Sequence, residues 1–213
     1  MTSSGRPRKG EIDRAILDAF AVLVEERGYA RVSVEDVVRR AGSNKPAFYR
    51  RFRDLASVVP RLLEDRHGLD SDIDTGSLVG DLCEIQRRQV RLFSDRAIAR
   101  GLVGWAAHVE GRPEQAVPFV DAYLAPRRAF THVVLARAVT RGEISDDSDP
   151  DWIADLLTGP LLMRITLPGL PPVTEALGVQ TVHAALDAVR FRGDRSALAA
   201  GTLVHTRPEE DQA

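Results

Sequence analysis

Lys45, Tyr49, Arg50 and Arg51 sit close together in the run Ala41-Gly42-Ser43-Asn44-Lys45-Pro46-Ala47-Phe48-Tyr49-Arg50-Arg51-Phe52. Ammonium, guanidinium and phenol groups in one short stretch can pair with phosphate and hydrogen-bond base edges. If the stretch is helical, Phe48 and Phe52, four residues apart, pack inward, whereas Lys45, Tyr49 and Arg50 fall on other faces. Arg51 and Arg53 add flanking charge. Pro46 agrees with a helix here, because first-turn amides have no intrahelical partner and the ring's fixed φ suits helical geometry. A helix start open to solvent also attracts phosphate.

Such a helix needs a support that sets its angle, and the preceding residues provide one. Ser33 can cap a helix whose apolar positions Val34, Val37, Val38 and Ala41 share a face, with Asp36 in the positively polarised first turn. Gly42 is the natural left-handed residue after its last turn, and Asn44 can cap the helix that follows. Two short helices across a tight turn match the helix-turn-helix, in which the second helix enters the major groove.

Residues 11 to 63 resemble the DNA-binding domain of the TetR family of transcriptional regulators. The family's usual run is an amphipathic helix, ERGY, T/S-V-x-x-I/V-A, AG-x-S-K-x-x-x-Y-R-x-F, then a fourth helix. This chain has Glu26-Arg27-Gly28-Tyr29, Ser33-Val34, Ala41-Gly42 and Lys45-Pro46-Ala47-Phe48-Tyr49-Arg50-Arg51-Phe52. The resemblance implies phosphate contacts from Ser33, Lys45 and Tyr49, and base-edge contacts from some of Asn44, Lys45, Ala47 and Arg50. Asn44 replaces the usual hydroxyl residue before the lysine, and Leu55 replaces the lysine common at the start of the fourth helix.

The chain has 213 residues, 44% of them hydrophobic, enough for a helical core and a small appended module. The net charge of -2 conceals an asymmetry: residues 1 to 67 hold 14 Lys or Arg against 10 Asp or Glu, the remainder 15 against 21. A basic module on an acidic body can bind DNA at one end and avoid it elsewhere. No apolar run approaches the ~20 residues that span a bilayer, and the N-terminus lacks a signal peptide's apolar centre, so a cytoplasmic location is expected. Cys83 is the single cysteine, which rules out an intrachain disulfide and reads as a small buried hydrophobe.

The expected organisation is all-α. A basic arm over 1–10 precedes a three-helix DNA-binding module with a linking fourth helix over 11–67. A larger helical effector-binding and dimerisation domain covers 68–190, and a frayed tail 191–213. The first helix reads from Glu11 to Arg27 on the stripe Ile12, Ile16, Ala19, Phe20, Leu23 and Val24. The fourth runs from Leu55 to His67 behind Asp54, with a kink at Pro60 if continuous. Asp70-Ser71-Asp72-Ile73-Asp74-Thr75-Gly76 imitates a calcium loop, but position six is Thr75 and position twelve Asp81, so it reads as an acidic solvated linker. Later helices fall near 78–94, 96–109, 114–141 with a break at Pro126, 151–166 after an Asp149 cap, and 173–190.

The helix at 151–166 is apolar over much of its circumference and contains Gly159-Pro160. Two apolar sides require two partners, so the helices at 151–166 and 173–190 are the candidate homodimer surface. The resemblance implies the same dimer, a palindromic double-stranded operator and release by a small molecule of unknown identity. Phe93, Trp105, His108, Tyr123, Phe130 and Met163, large apolar bodies with a few polar tips, are the candidate effector contacts. His108 and His132 lack an i, i+4 ligand partner, so neither a metal nor a cofactor is expected. Catalysis is not expected either, because no nucleophile elbow, phosphate-cradling glycine loop, His-Glu-x-x-His or Cys-x-x-Cys pattern occurs. The competing reading is a helical adaptor that uses its basic patch for an acidic protein.

Overall fold

The computed structural model describes residues 9–198 and Leu203, and every regular element among them is helical. In chain order the α-helices are α1 (Lys9–Arg27), α2 (Val34–Arg40), α3 (Lys45–Tyr49), α4 (Val58–His67) and α5 (Leu78–Ser94). They continue with α6 (Arg96–Glu110), α7 (Pro113–Phe119), α8 (Ala125–Thr140), α9 (Pro150–Thr166) and α10 (Glu175–Ala188). A 3-10 turn spans Tyr29–Arg31, another Ser196–Leu198, and a widened i to i+5 turn covers Val120–Leu124. Residues 1–8 of the expected basic arm lie outside the described residues, as does most of the expected tail. Lys9 and Gly10 already belong to α1.

The chain forms two compact units. One takes the residues through Gly68 together with Arg96–Tyr123; the other takes Leu69–Asp95 and the residues from Leu124 onward. A single division after residue 67 is what the pattern of breaks suggests; the compact units divide also at Asp95 and Tyr123. The reason is a close approach invisible to periodicity. A Cβ on Gly101 of α6 would stand 2.6 Å from Val24 Cγ1 of α1, so glycine lets the two helices touch. Ala97, Ile98, Gly101, Trp105 and Val109 form the buried stripe of α6, and the core of α1 opposite is Ile16, Phe20, Leu23 and Val24.

In this first unit α4 begins three residues later than expected, at Val58, because Asp54 Oδ1 accepts from Ser57 N at 2.8 Å and closes a turn before the helix. Pro60 is then the third helical residue, where no intrahelical amide bond is lost, and the expected reason for a kink disappears. The break foreseen at Pro126 falls instead at Val120–Leu124. Pro118 ends α7, Pro126 lies in the first turn of α8, and the widened turn fits between these rings.

In the second unit α5 packs against α8, α9 and α10. Gln86, fully buried, donates through Nε2 to the Leu157 carbonyl of α9 at 2.9 Å and to the Thr181 hydroxyl of α10. Asp149 caps α9, accepting from Asp151 N and Trp152 N at 2.9 and 3.3 Å.

The segment at 70–81 departs from its reading as a solvated linker. Asp70 and Asp81 are 4% and 0% exposed. Arg127 and Arg88 hold Asp70, Arg88 reaches Asp72 at 2.6 Å, and Arg141 lies 3.7 Å from Asp81. Asp81 Oδ1 also accepts from Thr75 N and Thr75 Oγ1 at 2.7 and 2.8 Å. Guanidinium groups from α5 and α8 draw the acids in, which sequence spacing alone could not reveal.

Candidate nucleic-acid interface

Local chemistry builds the two short helices. Ser33 Oγ accepts from Asp36 N at 3.2 Å, and Ser33 N donates to Asp36 Oδ2 at 3.3 Å, a reciprocal cap that starts α2. The Ser33 hydroxyl, with the guanidinium groups of Arg27 and Arg39, holds the Asp36 carboxyl below the usual carboxylate range. Gly42 takes φ +60 between the helices, a conformation that costs a residue without Cβ little. Asn44 Oδ1 then accepts from Ala47 N at 2.9 Å and starts α3, with Pro46 inside its first turn.

Phe48, fully buried, anchors α3, and its ring lies 5.4 Å from that of Phe52. Tyr49 leans edge-on against Phe48, with centroids 5.4 Å apart, yet is 57% exposed. Its phenol is carried outward on a fixed base. Lys45 points outward as well, its Nζ 3.0 Å from Glu35 Oε2 of α2. Arg50 is exposed and, alone among the cations of Lys45–Arg53, its side chain makes no ion pair or hydrogen bond among the described residues. Ser33, Asn44 and Pro46 are exposed.

Two of the residues expected at DNA are turned inward. Ala47 is buried. The Arg51 side chain is 13% exposed, engages Asp13 of α1 through Nε and donates to the Ala47 carbonyl at 2.9 Å through Nη1. Its charge is spent tying α3 to α1. Asp13, 38 residues earlier, carries no motif that announces the pairing.

The six expected effector contacts divide between the units. Trp105, His108 and Tyr123 lie in the first unit, where Phe119 joins two of them: centroid distances are 4.6 Å to Trp105 and 6.0 Å to Tyr123. Phe119 was not foreseen, although it stands four residues before Tyr123. His108 Nε2 is 2.9 Å from Gln115 Oε1, and its ring lies 5.5 Å from Tyr29. Trp105 also lines an apolar cavity of about 30 Å³ with Phe20, Tyr29, Leu62 and Ile98. Burial, with Asp54 nearby, pushes the Tyr29 phenol up to about 12. Phe93 and Phe130 are buried in the second unit, and Met163, expected in a pocket, is exposed on α9. None of the six lines the cavity of about 550 Å³ among Ser77, Gly80, Cys83, Glu143, Phe191 and Asp194. Burial raises the Cys83 thiol to about 11. Among the described residues no cluster of His, Cys, Asp or Glu is arranged to hold a metal ion.

Comparison with known proteins decides the family. Residues 16–59 match the model for bacterial regulatory proteins of the tetR family, and residues 72–185 match the tetracyclin repressor-like C-terminal domain. The chain belongs to the TetR family. Its relatives include the DNA-binding transcriptional repressor TetR of Mycobacteroides abscessus, 31% identical over 76% of this chain and 86% of that one. Another is the uncharacterized HTH-type transcriptional regulator Rv1556 of Mycobacterium tuberculosis, 30% identical over 78% of this chain and 80% of that one. A solved TetR family transcription regulator, SCO0332, is 25% identical, with a TM-score of 0.64 over 84% of this chain and 98% of that one. The exposed Lys45, Tyr49 and Arg50 thus belong to the DNA-binding helix-turn-helix of a TetR-family transcription regulator. No described helix is long and apolar enough to cross a membrane.

Proposed function

We propose that this TetR-family regulator is a repressor that binds a palindromic operator as a homodimer and leaves it when a small molecule binds. The observation that carries the DNA-reading half is the outward set of Lys45, Tyr49 and Arg50, held on α3 by buried Phe48 and by the Ser33 and Asn44 caps. Arg50, whose side chain has no partner among the described residues, is assigned to base edges, and Lys45 and Tyr49 to phosphate. Ala47 and Arg51 are assigned to the support of α3. Repression is supported by the Mycobacteroides abscessus relative, whose name makes it a repressor.

The dimer is assigned to α9 and α10. Ile153, Ala154, Leu157 and Leu161 face the interior of the second unit, whereas Trp152 and Met163 of α9 are exposed. Large apolar side chains on two faces of one helix support a second helical partner. Effector binding is supported by the size of the 550 Å³ cavity, which falls within the range of small-molecule sites. Membership of a family of transcription regulators sets aside the adaptor reading and gives no reason to assign catalysis.

Selection of bound duplexes from a random pool tests the proposal. The expected product is a palindrome whose half-sites lie about 34–36 Å apart, one helical turn, bound with affinity that falls steeply with salt. A pool that emerges unenriched, or enriched only in unpaired single half-sites, overturns it.

A further inference from the structure

Ten cationic side chains lie between residues 10 and 65, and eight of them hold a carboxylate of the same unit. Arg50 is one of the two that do not. Arg31 is the other, exposed and without an ion pair or side-chain hydrogen bond among the described residues. Glu35 and Asp36 follow it by four and five residues, but Lys45 holds the first, and Ser33, Arg27 and Arg39 hold the second. The Arg31 backbone is fixed: its N–H donates to the Gly28 carbonyl at 3.2 Å and the Val32 N–H to the Tyr29 carbonyl at 3.1 Å, with Tyr29 and Val32 buried on either side of it. A guanidinium on an anchored backbone, facing water and committed to no acid, suits an external anion.

Position identifies the anion. Arg31 precedes the Ser33 cap of α2 by two residues, so their Cα atoms are at most ~7 Å apart. Lys45 reaches from α3 to Glu35 in the first turn of α2 at 3.0 Å, which makes the start of α2 and the start of α3 one edge. In a helix-turn-helix the second helix occupies the groove and the first crosses the sugar-phosphate backbone. An arginine just ahead of the first helix therefore meets phosphate and not base edges. We propose that Arg31 is a phosphate-binding positioning residue outside the two helices of the motif: it pins the start of α2 to the backbone of any duplex, adding affinity without sequence preference and fixing the register in which Arg50 reads bases. This rests on the reading of α3 as the recognition helix. Lys45 must leave Glu35 to reach a phosphate, whereas Arg31 leaves only water.

The test measures binding of wild type, Arg31→Gln, Arg31→Lys and Arg61→Gln to the selected operator and to a random duplex, across a salt series. Arg31→Gln is expected to weaken binding to both duplexes by the same factor, about fivefold, and to lower the magnitude of both salt slopes by about one unit, so the specificity ratio stays at the wild-type value. Arg31→Lys keeps the charge and is expected to keep the wild-type slopes. Arg61→Gln removes an equal charge from a side chain of α4 that holds Glu64 at 3.5 Å, and both slopes are expected to stay as in wild type. Unchanged slopes in Arg31→Gln, a loss confined to the operator, or an equal loss in Arg61→Gln overturns the inference. Wild type without preference for any selected duplex overturns instead the DNA-reading proposal on which it stands. Arg31 is exposed, so unchanged melting of its variants serves as the folding control.

Discussion

The DNA-reading tip of the first unit and the acidic segment of the second both pair carboxylates with basic side chains, and they use the pairing for opposite ends. At the tip, Lys45 and Glu35 are more than half exposed. Water screens such a pair, and it can trade partners at small cost. In the second unit Asp70 and Asp81 are almost wholly enclosed, with Arg127, Arg88 and Arg141 around them. A carboxylate there cannot lose its partner without remaining as a charge out of water. Exposure, and not the number of pairs, separates a charge kept for a ligand from a charge kept for the fold. Arg51 makes the point inside the recognition segment itself: adjacent to exposed Arg50, it is folded onto Asp13 and stands with the second kind.

The contrast breaks most visibly at Asp81. Asp81→Ala removes the acceptor of two Thr75 bonds and the partner of Arg141, and urea unfolding is expected to show a loss of about 3 kcal/mol. A loss below about 1 kcal/mol would place that acid with the exposed kind. The complementary change is Lys45→Ala. It should leave unfolding within about 0.5 kcal/mol of wild type, yet lower the magnitude of the salt slope of operator binding by about one unit. An unchanged slope would remove Lys45 from the phosphate contacts.

The smallest effect concerns pH. The Asp36 carboxyl is depressed by the Ser33 hydroxyl and by Arg27 and Arg39, so its contribution is present above the ordinary carboxylate value of ~3.9. It fades as pH falls through the lower folded value, since the folded form then has to take up a proton it resists. Asp36→Asn is expected to lower stability slightly in the neutral region, to leave it nearly unchanged below the folded value, and so to flatten the acid limb of a stability against pH curve. A curve of wild-type shape would mean that the cap works without its charge.

Much of the recognition module was legible because its interactions are local. Ser33 with Asp36, Gly42 at the turn, Asn44 with Ala47, and Phe48 with Phe52 all lie within four residues of their partners or act alone. The direction of Arg51 was not legible, nor was the cluster of Trp105, Phe119 and Tyr123. The helical pattern around Pro118 and Pro126 suggested one long broken helix, whereas a widened turn brings Phe119 and Tyr123 to the same aromatic group.

The order of residues by itself determined the helical class, the caps, the turn between α2 and α3, and which side chains of the recognition helix are polar. Those follow from hydrogen bonds and periodicities that close within a turn or two. The tertiary structure alone decided which cations are spent internally, that α6 lies on α1 through Gly101, and that the acids at 70 and 81 are enclosed. Each depends on a partner brought from afar by burial of apolar surface, and burial sets whether a charge faces water or another charge.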